Sequence, residues 1–289
     1  EQGLVQGVDG DLDPRKIGVD MTPAIPVSVV DFTNAWPVTW GFLKGAVEGF
    51  LPITDVPSAC ADRLARGEVQ AGIIPAIEAA RIPGVRIVRG VGIAAYDRVR
   101  SVILVSRVPF EEVRTVALDS SSRSSAAVVR VLLSDLYGVE PEYHSAHPDL
   151  RRMLATSDAA LLIGDPALTA RLETLRVLDL AEGWNRLTGL PLVTAVWAVR
   201  RDLAPEPFLW SRDYARHRMG EIVDAAAART GLDPRTMGEY LESDLHHDLD
   251  EDDERGLAEF YRRAAAHGLI PSPDLPPFSG VPLVPRSFN

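Results

Sequence analysis

Short apolar runs alternate with polar turns and amphipathic stretches along the first hundred residues. The apolar runs predict buried strands, and the segments that follow two of the turns predict helices extending to about Val47 and to Arg66. This order is typical of an α/β fold with a mostly parallel sheet. The predicted strands lie at 25–30, 53–56, 71–74, 85–93 and 101–106.

The same order returns after Val108-Pro109, where a serine-rich turn opens a helix that extends to about Tyr137. That helix carries an apolar stripe at i, i+4 spacing, which predicts one buried face. Strands are predicted at 115–118, 159–163, 177–180 and 192–199, and helices at 214–229, 234–241 and 251–267 before a Pro-rich tail.

Two successive sets of strands and helices predict an α/β, two-lobed protein with a ligand cleft between the lobes. The first lobe is expected to comprise residues 17–108 and 195–289, and the second lobe residues 109–194. The strand at 192–199 is long enough to return the chain to the first lobe. The chain is therefore expected to cross between lobes near 107–112 and 190–196.

Composition limits the classes of function. The 289 residues are 46% hydrophobic and 25% charged, which suits a globular protein large enough for two lobes. Forty-one acidic against 30 basic residues give a net charge of −11, which argues against a nucleic-acid surface. A small anionic ligand is still compatible with this charge, because helix N-termini create a local positive potential.

Two further features bear on location and redox chemistry. No apolar run approaches the roughly 18 residues of a membrane span, and Glu1–Lys16 lacks the apolar core of a secretory signal, so a cytoplasmic protein is expected. Cys60 is the only cysteine, which excludes an internal disulfide and a multi-cysteine metal site. Its apolar helical setting favours a buried structural thiol over a nucleophile.

The turn Asp119–Ser125 is the most informative segment for ligand binding. Five serines and an arginine lie between the carboxyl end of a strand and the start of a helix, the edge at which ligands collect in open α/β sheets. Free amide groups there, with the serine hydroxyls, are suited to a carboxylate or phosphate. Alternatively, one serine caps the helix and the others are solvated. The candidate substrate-binding serines are Ser121, Ser122, Ser124 and Ser125.

Other candidates lie at equivalent strand ends. Asn34 follows the first strand, where its amide can donate to and accept from a ligand or cap a helix. Ser101 stands at the entry to a buried strand and is unremarkable by itself. Asp165 directly follows a strand and precedes Pro166, so it either caps a helix or accepts from a ligand hydroxyl.

Three arginines, Arg98, Arg100 and Arg123, are the cations closest to these turns, and each either faces a substrate carboxylate or is a surface charge. The acidic stretch 244–254 contains two histidines but lies among predicted exposed helical residues, so no metal site is expected. None of the six histidines falls in a strand-end turn, and no G-x-S-x-G, Walker or G-x-G-x-x-G motif is present.

Seven motifs in order resemble those of the chorismate dehydratases in the futalosine route to menaquinone. They span about residues 25 to 270, and although none is diagnostic alone, seven in the same order are specific. The motifs are Asp31-Phe-Thr-Asn-Ala-Trp-Pro-Val-Thr-Trp-Gly41, Gly67-Glu-Val-Gln-Ala-Gly-Ile-Ile-Pro75, Val99-Arg-Ser-Val-Ile-Leu104, Asp119–Ser125, Leu162-Ile-Gly-Asp-Pro-Ala167, Trp184-Asn-Arg-Leu-Thr-Gly-Leu-Pro191 and Ala195-Val-Trp-Ala198.

The resemblance implies a type II periplasmic-binding-protein-like fold that acts as an enzyme. It implies conversion of chorismate to 3-[(1-carboxyvinyl)oxy]benzoate and water without a cofactor or a metal. It also makes Asn34 and Ser101 the expected catalytic residues, with Ser124 and Ser125 on a substrate carboxylate. Dihydroxynaphthoate synthase, the sister enzyme of the pathway, is a poorer match because it resembles a different first-turn motif and uses a histidine with no counterpart here.

The nature of the base and two other function classes stay open at this point. The C3 proton of chorismate is expected to pass to a substrate carboxylate, with Asp165 as the rival base. A solute-binding protein has the same two-lobed plan but normally requires export. A sensor domain of a transcription regulator requires a basic helix-turn-helix segment, which neither end of the chain contains.

Overall fold

Two β-sheets organise the computed structural model, which describes residues 23–200 and 203–280. The first sheet contains β1 (Ile25–Val30), β2 (Phe50–Asp55), β3 (Ala71–Pro75), β4 (Val85–Ala95), β10 (Leu192–Arg200) and β11 (Phe278–Ser279), in the spatial order β11-β4-β10-β3-β1-β2. The second contains β5 (Val102–Ser106), β6 (Thr115–Asp119), β7 (Glu142–Ala146), β8 (Ala159–Ile163) and β9 (Arg176–Asp179), in the order β7-β6-β8-β5-β9.

Helices cover both sheets and begin at several of the predicted turns. They are α1 (Trp36–Leu43), α2 (Pro57–Arg66), α3 (Ala76–Ala79), α4 (Arg123–Tyr137), α5 (Leu150–Thr156), α6 (Gly164–Leu168), α7 (Leu180–Thr188), α8 (Glu206–Arg216), α9 (Met219–Thr230), α10 (Pro234–Glu239) and α11 (Glu251–Ala266). The helix predicted at 214–229 is two helices, since the chain breaks at His217 and Arg218 between α8 and α9.

Each sheet is mostly parallel, as expected, but within the described residues one strand in each, β10 in the first and β5 in the second, runs against the others. In the first sheet, β1 is parallel to β2 and β3, but β10 is antiparallel to β3 and β4. In the second, β5 is antiparallel to β8 and β9. The strands that break the parallel order, β5 and β10, are those by which the chain enters a sheet from the other lobe. They need no crossover helix within their own sheet and are free to run antiparallel.

The first crossing between lobes lies at 96–101, upstream of the crossing expected near 107–112. The segment Ser101–Ser106, placed in the first lobe from the sequence, supplies β5 of the second sheet. Asp179, at the end of β9, accepts hydrogen bonds from the amides of Val99 and Arg100 at 3.0 and 2.8 Å. The crossing is thus fixed by one buried carboxylate. The chain returns to the first sheet between β9 and β10.

Apolar side chains of both lobes form one continuous core, with a smaller cluster on the far face of the second sheet.

Cys60 on α2 is completely buried, and burial raises the pKa of its thiol to about 12. A thiol with this pKa stays protonated at neutral pH, as a structural cysteine does. The expected lobe limits at residues 17 and 289 and the predicted Pro-rich tail beyond residue 280 lie outside the described residues.

Helix α11 packs against the segment that precedes β10, and at the point of contact only glycine fits. A Cβ at Gly256 would lie 2.3 Å from the carbonyl oxygen of Pro191. We therefore expect Gly256→Ala to lower the free energy of unfolding by about 1–3 kcal/mol, measured by chemical denaturation. Gly220→Ala, at an exposed position of α9 where a Cβ meets nothing within 4 Å, is the control and should be neutral or stabilising. Equal losses in the two variants would contradict the close contact.

Candidate active site

A small cavity lies between the two lobes. Its strand residues come from β1, β3, β4, β5, β8 and β10, so both sheets face it. A largely apolar lining with a few polar groups is usual for small-molecule sites. The polar residues on the wall are Asn34, Ser122, Arg123, Ser124, Ser125 and Thr194.

The serine-rich turn supplies one side of this cavity. Ser122, Ser124 and Ser125 are buried and line it. Ser122 occupies the N-cap position of α4, but its side chain makes no capping hydrogen bond. The first amide groups of this 15-residue helix therefore remain available to an anion.

Ser121, another of the expected substrate-binding serines, makes its hydrogen bonds within the turn. Its amide and hydroxyl both donate to Asp119 Oδ1, at 2.9 and 2.6 Å, and it does not lie on the cavity wall. This pair closes the turn and directs the following serines toward the cavity.

Two residues of the turn also hold the lobes together. Ser124 Oγ accepts a hydrogen bond from the Ile77 amide at 3.1 Å. The Arg123 guanidinium pairs with Glu78 at 2.9 Å and with Asp62 on α2, also at 2.9 Å. Arg123 thus lines the cavity with its charge already balanced by two carboxylates of the first lobe.

Asn34 lines the same cavity from the first lobe, in the 3-10 turn Thr33–Ala35 that follows β1. Its Oδ1 is buried and makes no hydrogen bond within the described protein. The backbone carbonyl of Asn34 lies 3.3 Å from His247 Nε2. The asparagine is therefore held through its backbone, and its side-chain amide is left for a ligand.

Ser101 is completely buried beside the cavity, next to the lining residue Val102. Its carbonyl accepts a hydrogen bond of 2.7 Å from the amide of Gly164, another lining residue. Its hydroxyl, like Asn34 Oδ1, makes no hydrogen bond. A buried polar atom without a partner needs an explanation, and a bound substrate would provide one for both residues.

Asp165 lies at the junction of the lobes and not on the cavity wall. Its Oδ1 accepts hydrogen bonds from the amide and the hydroxyl of Thr33, at 3.2 and 2.7 Å. Its Oδ2 lies 3.1 Å from Nε of Arg229, an arginine on α9 that also pairs with Asp31. Both carboxylate oxygens are thus engaged by protein groups.

The arginines before Ser101 are likewise engaged elsewhere. Arg98 and Arg100 both pair with Asp244, and neither lies on the cavity wall. The expectation that one of them faces a ligand has no support from their positions.

The C-terminal segment contains contacts that no motif indicated. His247 touches Asn34, 213 residues earlier in the chain, and His246 pairs with Asp253 at 2.7 Å. Residues 23–200 and 203–280 contain no group of three or more His, Cys, Asp or Glu arranged to hold a metal ion. The histidines of the acidic stretch serve to dock this segment, an arrangement that spacing along the chain cannot show.

Burial lowers the pKa of His247 to about 4, against about 6.5 in an unfolded chain. Because the folded protein binds fewer protons between these values, its stability should fall as the pH drops from about 6.5 to about 4, by up to about 3 kcal/mol. Unfolding of wild type and of His247→Gln across this range measures the effect. The difference in free energy between them should decrease toward acid pH, and a constant difference would contradict it.

Comparison with known proteins agrees with this geometry. A family model described as menaquinone biosynthesis matches residues 25–266. The chorismate dehydratase of Thermus thermophilus is 30% identical over 246 residues, covering 77% of this chain and 89% of that protein.

Solved structures share the fold at lower identity. Protein AF1704 of Archaeoglobus fulgidus superposes with a TM-score of 0.69 and 20% identity, covering 86% of this chain and all of that one. The periplasmic aliphatic sulphonate binding protein of Escherichia coli gives 0.60 and 14%, with 86% and 94% covered. The expected periplasmic-binding-protein-like fold is confirmed. By the family match over most of its length, the chain belongs to the menaquinone biosynthesis family.

Proposed function

We propose that this chain is a chorismate dehydratase, which eliminates water from chorismate to give 3-[(1-carboxyvinyl)oxy]benzoate in menaquinone biosynthesis. The observation that carries the proposal is the 30% identity with a chorismate dehydratase across 77% of the chain. The cavity supports it, because its polar groups suit a small anionic substrate.

Chorismate carries two carboxylates, and the N-terminus of α4 is suited to one of them. The uncapped amides and the hydroxyls of Ser122, Ser124 and Ser125 can donate hydrogen bonds, and the helix dipole favours a negative charge there. Arg123 contributes less, because Glu78 and Asp62 already balance its charge.

The elimination breaks two bonds between ring carbons and their substituents, C3–H and C4–O. The C3–H electron pair enters the ring as C4–O breaks, and the group that accepts the C3 proton passes it to the departing hydroxide, which leaves as water. In this proposal the Asn34 side-chain N–H and the Ser101 O–H donate hydrogen bonds to the departing hydroxyl or the developing charge; Asn34 Oδ1 and Ser101 Oγ are buried without a partner in the described protein.

A substrate carboxylate is the proposed acceptor of the C3 proton. Within the described residues, the cavity wall contains no carboxylate, histidine or cysteine. Orientation alone can lower a barrier by about 7–11 kcal/mol in favourable cases. Asp165 is the weaker candidate, because Thr33 and Arg229 already engage its two oxygens.

None of the helices in the described ranges is long and apolar enough to cross a bilayer. We place the enzyme in the cytoplasm, where a biosynthetic activity is expected, and propose no cofactor and no nucleic-acid partner. The sulphonate-binding protein shares only the fold with this chain, so it gives little support to a solute-binding role.

Conversion of chorismate by purified protein, freed of metal by a chelator, tests the proposal directly. We expect mass spectrometry to show loss of one water and formation of the enolpyruvyl benzoate at a rate proportional to enzyme. Chorismate that binds but is recovered unchanged would indicate a binding protein. Absence of binding would contradict the proposed substrate.

Two single-residue variants separate the proposed roles. Asn34→Ala should lower kcat by about 10²–10³-fold, the loss typical when one stabilising donor is removed. Asp165→Asn should retain kcat within about tenfold and raise KM, because it weakens the contact between the lobes but removes no base. A loss of several orders of magnitude in kcat for Asp165→Asn, with a bell-shaped pH profile reduced to one limb, would identify Asp165 as the base instead.

A further inference from the structure

Tyr240 is a buried polar side chain beside Ser101 that the mechanism above does not use. Its ring is 1% exposed, and it opens the π-helical turn Tyr240–Asp244 that follows α10. The Leu245 amide donates to the Tyr240 carbonyl at 3.1 Å and closes this wider turn. Single π-helical turns often occur at functional sites, because they re-aim one side chain within a helix.

The Tyr240 hydroxyl lies beside the Ser101 hydroxyl. Both oxygens are buried, and neither is aligned for a hydrogen bond with any group of the described protein. Because the two hydroxyls are adjacent, a rotation of either one lets Tyr240 donate to Ser101 Oγ, and the Ser101 proton is then left to be donated to a ligand. Ser101 is also the residue that the proposed mechanism places on the departing hydroxyl.

The charges around Tyr240 keep its hydroxyl protonated. Burial raises the pKa of Tyr240 well above its usual range, and the nearby carboxylates of Asp165, Asp244 and Asp179 raise it further. The Ser101 hydroxyl acts in the opposite direction. Asp244 is itself paired with Arg98 and Arg100. Tyr240 is therefore a neutral hydrogen-bond donor at neutral pH.

We propose that Tyr240 is a positioning residue for the dehydration: its O–H donates to Ser101 Oγ when substrate is bound and so directs the Ser101 proton toward the departing hydroxyl. A serine hydroxyl rotates freely unless a donor occupies one of its lone pairs. A hydrogen bond donated to the serine oxygen fixes the rotation of the hydroxyl. It also polarises the serine O–H bond, which strengthens the hydrogen bond that the serine donates to the substrate. No proton is transferred between the two residues. The inference rests on the proposed function of the site.

Tyr240→Phe removes the hydroxyl and keeps the ring, so the thermal midpoint should not fall. We expect kcat with chorismate to fall by about 10- to 100-fold, with little change in KM. This is the range found when a residue that orients a metal ligand through a hydrogen bond is removed. Tyr143→Phe, on the edge strand β7 far from Ser101 in the sheet order, is the matched control and should retain wild-type kcat.

A double-mutant cycle shows whether Tyr240 acts through Ser101. The variant combining Tyr240→Phe with Ser101→Ala should be no slower than Ser101→Ala alone, because the proton that Tyr240 directs is then absent. If the double variant shows a loss in kcat equal to the product of the losses in the two single variants, the inference is overturned. A wild-type kcat in Tyr240→Phe would overturn it as well. If its kcat falls only in proportion to a loss of folded protein seen by circular dichroism, Tyr240 is structural and the inference is wrong. A wild-type protein that does not convert chorismate would instead refute the proposed function, and this inference with it.

Discussion

The hydrogen bonds that Asp165 accepts from Thr33 hold the two lobes in register at the candidate site. Thr33 precedes Asn34 in the chain, and Asp165 follows Gly164, whose amide donates to the Ser101 carbonyl. A shift of one lobe against the other therefore moves Asn34 and Ser101 apart by a similar distance. The contact is largely shielded from water, where such hydrogen bonds are stronger and their geometry is better defined.

Glycine is needed beside this contact. Gly164 has a φ of +63°, and a Cβ there would lie 2.8 Å from the ring of Phe32, which belongs to the first lobe. The absence of a side chain thus allows the two lobes to approach where Asp165 meets Thr33. A site that acts mainly by orienting its substrate depends on such a close fit, because small displacements of its polar groups are costly in rate.

Much of the architecture is predictable from local pattern, and the exceptions have physical reasons. Most strands are continuous apolar runs, and the turn before α4 has both the composition and the position of an anion site. Strand β7 was missed because it is an edge strand with mostly polar, accessible residues. The roles of Asp165 and His247 depend on partners 132 and 213 residues away. No periodicity records such contacts, so local pattern identifies candidate groups but not which of them face the ligand.

The position of β10 between β3 and β4 also orders events during synthesis. The strands of the second sheet, residues 102–179, all leave the ribosome before β10, and each already has its neighbours. The first sheet cannot join its two halves until residues 192–200 have been made, and until then β3 and β4 each present an unpaired edge. The second lobe can thus fold while the nascent first lobe is still incomplete. The interval before β10 emerges is when the growing chain is most exposed to association with other chains.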